Sequence, residues 1–247
     1  MDKKEKMVKS FDLIEETWKV YIKNLSKFIM VLLYGLIGFI PMIVLFLLIF
    51  IYNASGLASA APMLTNIILG IIGIILFGFS LYFAIVYSLK AKVASILLLK
   101  NNFTPAKENF KQATPYIERF LGVSLLLVVL IIAWGIVFII PALIFGIYYG
   151  LSAFVLVLED KRPFTSIERS YDLVKGYWWP VFGRFTLIAT IVFVLYAIIS
   201  LPLSWMSQNS AGSIIYGGLT NIVWLVLSPY FIIFTYNVYK SLKHLSK

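Results

Sequence analysis

Apolar residues run along this chain in long blocks instead of alternating with polar ones. Phe28 to Leu89, Phe120 to Leu158 and Phe185 to Tyr239 hold no Asp, Glu, Lys, Arg or His, over 62, 39 and 55 residues. A helix needs roughly 20 mainly apolar residues to cross the hydrocarbon of a bilayer. Each block therefore predicts two spanning helices, and continuous apolarity favours helices over barrel strands. The expected fold is an all-α integral membrane protein with six transmembrane helices in three hairpins. Turns are expected at Asn53 to Pro62, between Trp134 and Pro141, and at Trp205 to Ser213. The middle block is tight for two spans, so a re-entrant pair is its alternative.

The segments that lead into the blocks have a different period. In the first, Phe11, Ile14, Trp18, Ile22 and Leu25 recur at helical spacing, with Asp12, Glu15, Glu16, Lys19 and Lys23 on the other face. In the third, Thr165 and Glu168 have capping-box spacing, followed by Ile167, Tyr171, Val174 and Trp178 along one side. In the second, Thr104-Pro105 reads as an N-cap with proline at the first helical position. Three amphipathic helices are thus expected, each beside a hairpin. They lie in the headgroup layer or pack on the ends of neighbouring spans. Phe11, Trp18, Phe103, Phe110, Phe164, Tyr171, Trp178 and Trp179 are the expected interfacial anchors.

Spacing relates the three segments. Phe11, Trp18 and Lys27-Phe28 are matched by Phe103, Phe110 and Arg119-Phe120. Phe164, Tyr171 and Arg184-Phe185 follow with a longer second interval, as if Tyr177-Trp178-Trp179-Pro180 added a helical turn. Pro41, Pro141 and Pro202 each fall within the block that follows. The chain reads as one membrane domain with repeat units at 8–100, 101–160 and 161–240. The alternative is coincidence in a chain with 20 Phe, 15 Tyr and 6 Trp.

Charge orients this arrangement. All 21 Lys and Arg fall in four segments, 1–27, 90–119, 161–184 and 240–247, and none in the hairpin turns. With six spans those segments share one side, which the positive-inside rule makes cytoplasmic, termini included. Lys27, Arg119 and Arg184 mark the membrane boundary. The net charge of +10 implies membrane lipids as partners, anionic headgroups above all, at about 1 kcal/mol per well-placed base. A protein partner or self-association is the further possibility, and no nucleic acid is expected. No cleavage site follows a short apolar core near the N-terminus, so the first span is expected to act as the targeting signal.

The chemistry that a membrane enzyme needs is missing from the chain. There is no cysteine, and the one histidine, His244, stands in the basic tail. No HExxH is present and no carboxylate falls inside a span, while adjacent Glu159 and Asp160 point about 100° apart on a helix. Neither enzyme activity, metal nor cofactor is expected. Asn221 and Asn237 are the costliest polar groups inside the blocks and the candidate intramembrane polar site, with helix packing as the alternative. Gly146, Gly150, Gly70, Gly73 and Gly78 are expected to permit close helix approach. Two functions fit: a non-enzymatic module organising lipid or a protein partner at the cytoplasmic face, or a permease or flippase-like carrier of an apolar or amphiphilic substrate.

The run from Glu159 to Gly183 carries a resemblance. It is similar to the R-S-[WY]-x-L-x-[KR]-G-x-[FW]-W-x-x-F-G stretch of a diffuse family of polytopic prokaryotic proteins. These include the membrane domain attached to some glycerophosphodiester phosphodiesterases and the YciC-like inner-membrane proteins. The matching positions are Arg169, Ser170, Tyr171, Leu173, Lys175, Gly176, Trp178 or Trp179, Phe182 and Gly183. The resemblance implies a multi-pass protein of a prokaryotic plasma membrane. The phosphodiesterase activity of the fused relatives lies in a separate soluble barrel and does not carry over.

Overall fold

The computed structural model describes residues 10–137, 139–205 and 210–246. The described chain is helical, in the order α1 (Ser10–Leu36), α2 (Ile40–Ala54), α3 (Leu57–Ala60), α4 (Met63–Lys100), α5 (Ala106–Gln112), α6 (Ile117–Val137), α7 (Ile139–Tyr149), α8 (Ser152–Glu159), α9 (Pro163–Val174), α10 (Trp178–Ser204) and α11 (Ser210–Leu245). Six stretches are long and apolar enough to cross a membrane: Ser10–Ala54, Met63–Lys100, Ala106–Ile136, Ile139–Glu159, Trp178–Ser204 and Gly212–Leu245. The protein is an all-α multi-pass membrane protein. The middle block forms two such helices, Ala106–Ile136 and Ile139–Glu159, and residue 138 of its expected turn and residues 206–209 of the third expected turn lie outside the described residues.

Local chemistry explains the interruptions. Pro41 has no N–H to return to the carbonyl of Ile37, four residues back. Ile40 N–H bonds that carbonyl instead, and Ile37–Phe39 tighten into a 3-10 turn between α1 and α2. Gly56 turns the first hairpin in the left-handed region at φ +75. The fourth span breaks at Gly150, between α7 and α8.

Burial is polarised along the bundle. Residues 93–99 of α4 are buried on every side, at 0–5% exposure, enclosed by α1, α5, α6, α8 and α11. In contrast, α7 has no buried residue and α2 buries only Leu45. In α4 nothing before Ser80 is buried. The core therefore gathers at the end that carries the charges, and the apolar outer halves of the first two hairpins face outward. Thr17 lies beside Asn237 and Ile14 beside Tyr230, which places the start of α1 and the end of α11 together at that charged end.

The amphipathic segments take three different forms. The first is continuous with its span in a single helix, α1, so it cannot lie flat while the rest crosses. The stretch from Ser10 to Ala54, with its one 3-10 turn, has 45 residues, about 67 Å at the helical rise, against roughly 30 Å of hydrocarbon. Its buried seam is Leu13, Thr17, Tyr21, Asn24 and Phe28, offset from the expected stripe, of which Ile14 and Leu25 pack against the core while Phe11, Trp18 and Ile22 stay exposed. The offset follows from α11, which meets Thr17 with Asn237 and accepts the Tyr21 hydroxyl at the Val226 carbonyl, 2.8 Å. The second segment is only the 7-residue α5, docked on α1 and α4. The third, α9, is wedged against α6, α7, α8 and α11.

Two expected caps shift by a few residues. Pro105 is itself the N-cap of α5, and Thr104 Oγ1 accepts from the Asn109 side chain at 2.8 Å. Helix α9 starts at Pro163, so Thr165 lies inside its first turn and donates to the Arg162 carbonyl instead of capping. The longer interval of the third unit is a break between α9 and α10 at Lys175–Tyr177, with Gly176 at φ +86, and not an added helical turn.

Candidate functional site at the charged end

Where α8 ends, its last residue becomes the centre of a charge cluster. Glu159 Oε1 accepts from the Tyr239 hydroxyl at 2.8 Å and lies 3.3 Å from Lys243 Nζ. Oε2 lies 3.7 Å from Arg169 Nε and 4.0 Å from Lys161 Nζ. The carboxylate side chain is 11% exposed, against 39% for Lys161, 30% for Arg169 and 42% for Lys243. Its neighbour Asp160 takes the left-handed conformation at φ 53 and binds Arg119 at 2.8 Å. The two adjacent carboxylates are thus aimed at different partners, because the chain leaves the helix at Asp160. One joins α8 to α9 and α11, the other to the start of α6.

The 169–183 run supplies the neighbouring joint. The broken fourth span leaves backbone groups that need partners. Ser170, fully buried, provides them from α9: its hydroxyl donates to the Tyr148 carbonyl at 2.7 Å and accepts from Leu151 N–H at 3.2 Å. Trp178 Nε1 donates to the Ile144 carbonyl at 3.1 Å, and its indole stacks on Phe182 at 5.0 Å. Tyr171 meets Tyr148 at 4.6 Å, with Lys175 Nζ 6.0 Å from the Tyr171 ring. Arg169 also donates to Ser246 Oγ at 3.2 Å. Gly183 is exposed, with open space where a Cβ would point.

The expected anchors divide into two groups. Phe11, Trp18, Phe164 and Trp179 are exposed. Phe103 and Phe110 instead turn inward: Phe103 meets Phe28 at 6.3 Å, and Phe110 meets Tyr34 at 5.6 Å with Lys90 Nζ 4.7 Å over its ring. A helix as short as α5 is held by the rings that it docks. Tyr171 and Trp178 serve the joint described above.

The three boundary bases also differ. Lys27 donates to the Phe103 carbonyl and Arg119 pairs with Asp160. Arg184, expected at the membrane boundary, is buried at 5% exposure. Helical spacing carries it inward on the same face of α10 as Val181, Ile188 and Val192.

Asn221 and Asn237 do not share a site. They are 16 residues apart on α11, about 24 Å along the helix. Asn221 is exposed and bonds the Gly217 carbonyl of its own helix, while buried Asn237 bonds Thr17 Oγ1 at 3.0 Å. A second feature lies between α2 and α4, a groove of about 760 Å³ bounded by the Phe46–Phe77 ring pair and the Tyr52–Asn66 hydrogen bond. Gly70 and Gly73 line it, and no atom stands near the place of their missing Cβ. Together with Gly78 and Gly146, they do not mediate the helix contacts expected of them. Gly35 and Gly38 do: a Cβ there would meet Ala91 Cβ at 2.7 Å and Tyr87 Cβ at 2.4 Å.

Sequence reasoning missed Tyr239, Lys161 and Lys243 as members of one cluster, because they come together only through the docking of α9 and α11. It also passed over Val93–Leu99 as part of a cytoplasmic loop. Seven apolar or small residues between Lys92 and Lys100, too few to span, were a legible sign of a buried core. Among the described residues no three His, Cys, Asp or Glu side chains gather as a metal site. Comparison with family models, with curated proteins and with solved structures finds no match for the chain.

Proposed function

We propose that this protein is a non-enzymatic multi-pass module that organises lipid at the cytoplasmic face of a prokaryotic plasma membrane. One observation carries the reading. The basic residues and the buried core sit together at one end, while the outer halves of the first two hairpins turn apolar side chains outward. A base rich in lysine and arginine, with Phe11, Trp18, Phe164 and Trp179 exposed among its charges, suits an anionic headgroup layer. The likeness of 159–183 to a family of polytopic proteins accords with a body that does no chemistry of its own.

Lipid carried through purification in mild detergent tests the function. Phosphatidylglycerol or cardiolipin should be enriched several-fold over its share of the source membrane, and a bulk-like composition refutes the proposal. Orientation is tested separately. A cysteine replacing Ser59, in the uncharged first turn, should react with an impermeant maleimide from outside the cell, and labelling only from the cytosol reverses the topology. The α2–α4 groove favours a second reading, a carrier for amphiphilic molecules. Lipid scrambling in proteoliposomes faster than in protein-free vesicles would select it.

A further inference from the structure

We infer that Lys161, Arg169 and Lys243 form a cup for a phosphate group, with Glu159 as its floor. This deepens the lipid-organising reading and rests on it. Three cations converge within 4.0 Å of one carboxylate, which leaves two positive charges uncompensated at the cluster. Asp160 does not neutralise them, because it is bound to Arg119 at 2.8 Å. A structural ion pair needs one base. Holding three together raises their mutual repulsion, which a bound anion relieves.

Accessibility points the same way. The carboxylate is 11% exposed and each of the three bases 30–42%, so the bases cover the acid and stay partly open to solvent. Lysine offers three donors and arginine five. Arg169 uses Nε towards Glu159 and one Nη towards Ser246, which leaves further N–H groups for phosphate oxygens.

The cup also sits at the right depth for a headgroup. Glu159 directly follows the charge-free block that ends at Leu158, and Lys243 lies four residues beyond the block that ends at Tyr239. Phe164, three residues after Lys161, is exposed at 69%, in the place of an interfacial anchor. The ligand is a phosphate group, and the test separates an anionic lipid headgroup from free phosphate.

Wild type, Lys161→Gln, Lys161→Arg and Glu159→Gln are reconstituted in nanodiscs, and bound phosphatidylglycerol is measured by native mass spectrometry. In parallel, inorganic phosphate is titrated against thermal unfolding in detergent. Lys161→Gln should weaken phosphatidylglycerol binding about fivefold, the weight of one interfacial base, and Lys161→Arg should restore it. Glu159→Gln should strengthen binding by a similar factor, because it removes a competing anion while glutamine still accepts from Tyr239.

Response to phosphatidylglycerol and inorganic phosphate together supports a general phosphate site, and response to the lipid alone supports a headgroup site. If wild type prefers phosphatidylglycerol but no variant changes that preference, the cup is overturned and the lipid-organising reading stands. If wild type shows no preference at all, both fall. Loss of stability in Glu159→Gln with unchanged lipid binding in all variants identifies a structural ion pair and overturns the site.

Discussion

Ser170→Ala is expected to destabilise the protein by about 2–4 kcal/mol, because it strips two buried backbone groups of their partner at once. The Tyr148 carbonyl and the Leu151 N–H both end on this one hydroxyl, at 2.7 and 3.2 Å. Both flank the helix break at Gly150. An unbroken helix would satisfy them internally, and water cannot, since Ser170 and Leu151 are fully buried. Each orphaned group costs about 1–3 kcal/mol. The control is Ser95→Ala. Ser95 is as deeply buried, but its hydroxyl bonds the Ala91 carbonyl of its own helix at 2.8 Å, a carbonyl that the helix already satisfies. Its loss should cost about 0.5 kcal/mol or less. Thermal unfolding in detergent, followed by tryptophan fluorescence, measures both. Equal shifts for the two variants would remove the joint between α9 and the fourth span from this account.

The second large effect is expected at Gly38. Alanine there would place a Cβ 2.4 Å from Tyr87 Cβ and 2.8 Å from the Phe83 carbonyl oxygen. Neither is the free end of a flexible side chain, so the 3-10 turn that follows α1 must move away from α4. Overpacking of this kind costs about 1–3 kcal/mol, and more where backbone has to move. Gly35→Ala should act in the same direction, with Ala91 Cβ 2.7 Å away. Gly70→Ala and Gly73→Ala should stay within about 0.5 kcal/mol, because nothing lies within 4 Å of either position. The same unfolding assay, with size-exclusion profiles for assembly, decides between them. A neutral Gly38→Ala would mean that the 3-10 turn after α1 does not touch α4 here.

These two positions show how unevenly the molecule was legible. Six spans could be read because charge in hydrocarbon is expensive, so its absence over 62, 39 and 55 residues delimits the blocks that hold them. Which glycines bring helices together could not be read. Gly35 and Gly70 look alike in sequence, and only the neighbour across the gap separates them. The 159–183 run was recognisable as a motif, but its task was not. Ser170 serves a break in another helix, 22 residues away, and Trp178 bonds the same span 34 residues away, and no local pattern records those pairings.

Aromatic spacing was a weaker guide. Phe11 and Phe103 open equivalent units by spacing, yet Phe11 is 80% exposed and Phe103 packs on Phe28. Spacing gives the face of a helix and not what covers that face. Arg184 makes the same point for charge, since its place beside an apolar block implied a solvated boundary and the tertiary contacts buried it.

The sequence by itself determined the class, the number of spanning helices and the single charged end, since each follows from the cost of moving ionisable groups out of water. Tertiary structure decided which residues of that end form its core, which carbonyls need a partner and which three bases surround Glu159. Those outcomes depend on the docking of α5 and α11 against α4 and of α9 against α6, α7, α8 and α11, where contacts join residues tens to hundreds of positions apart.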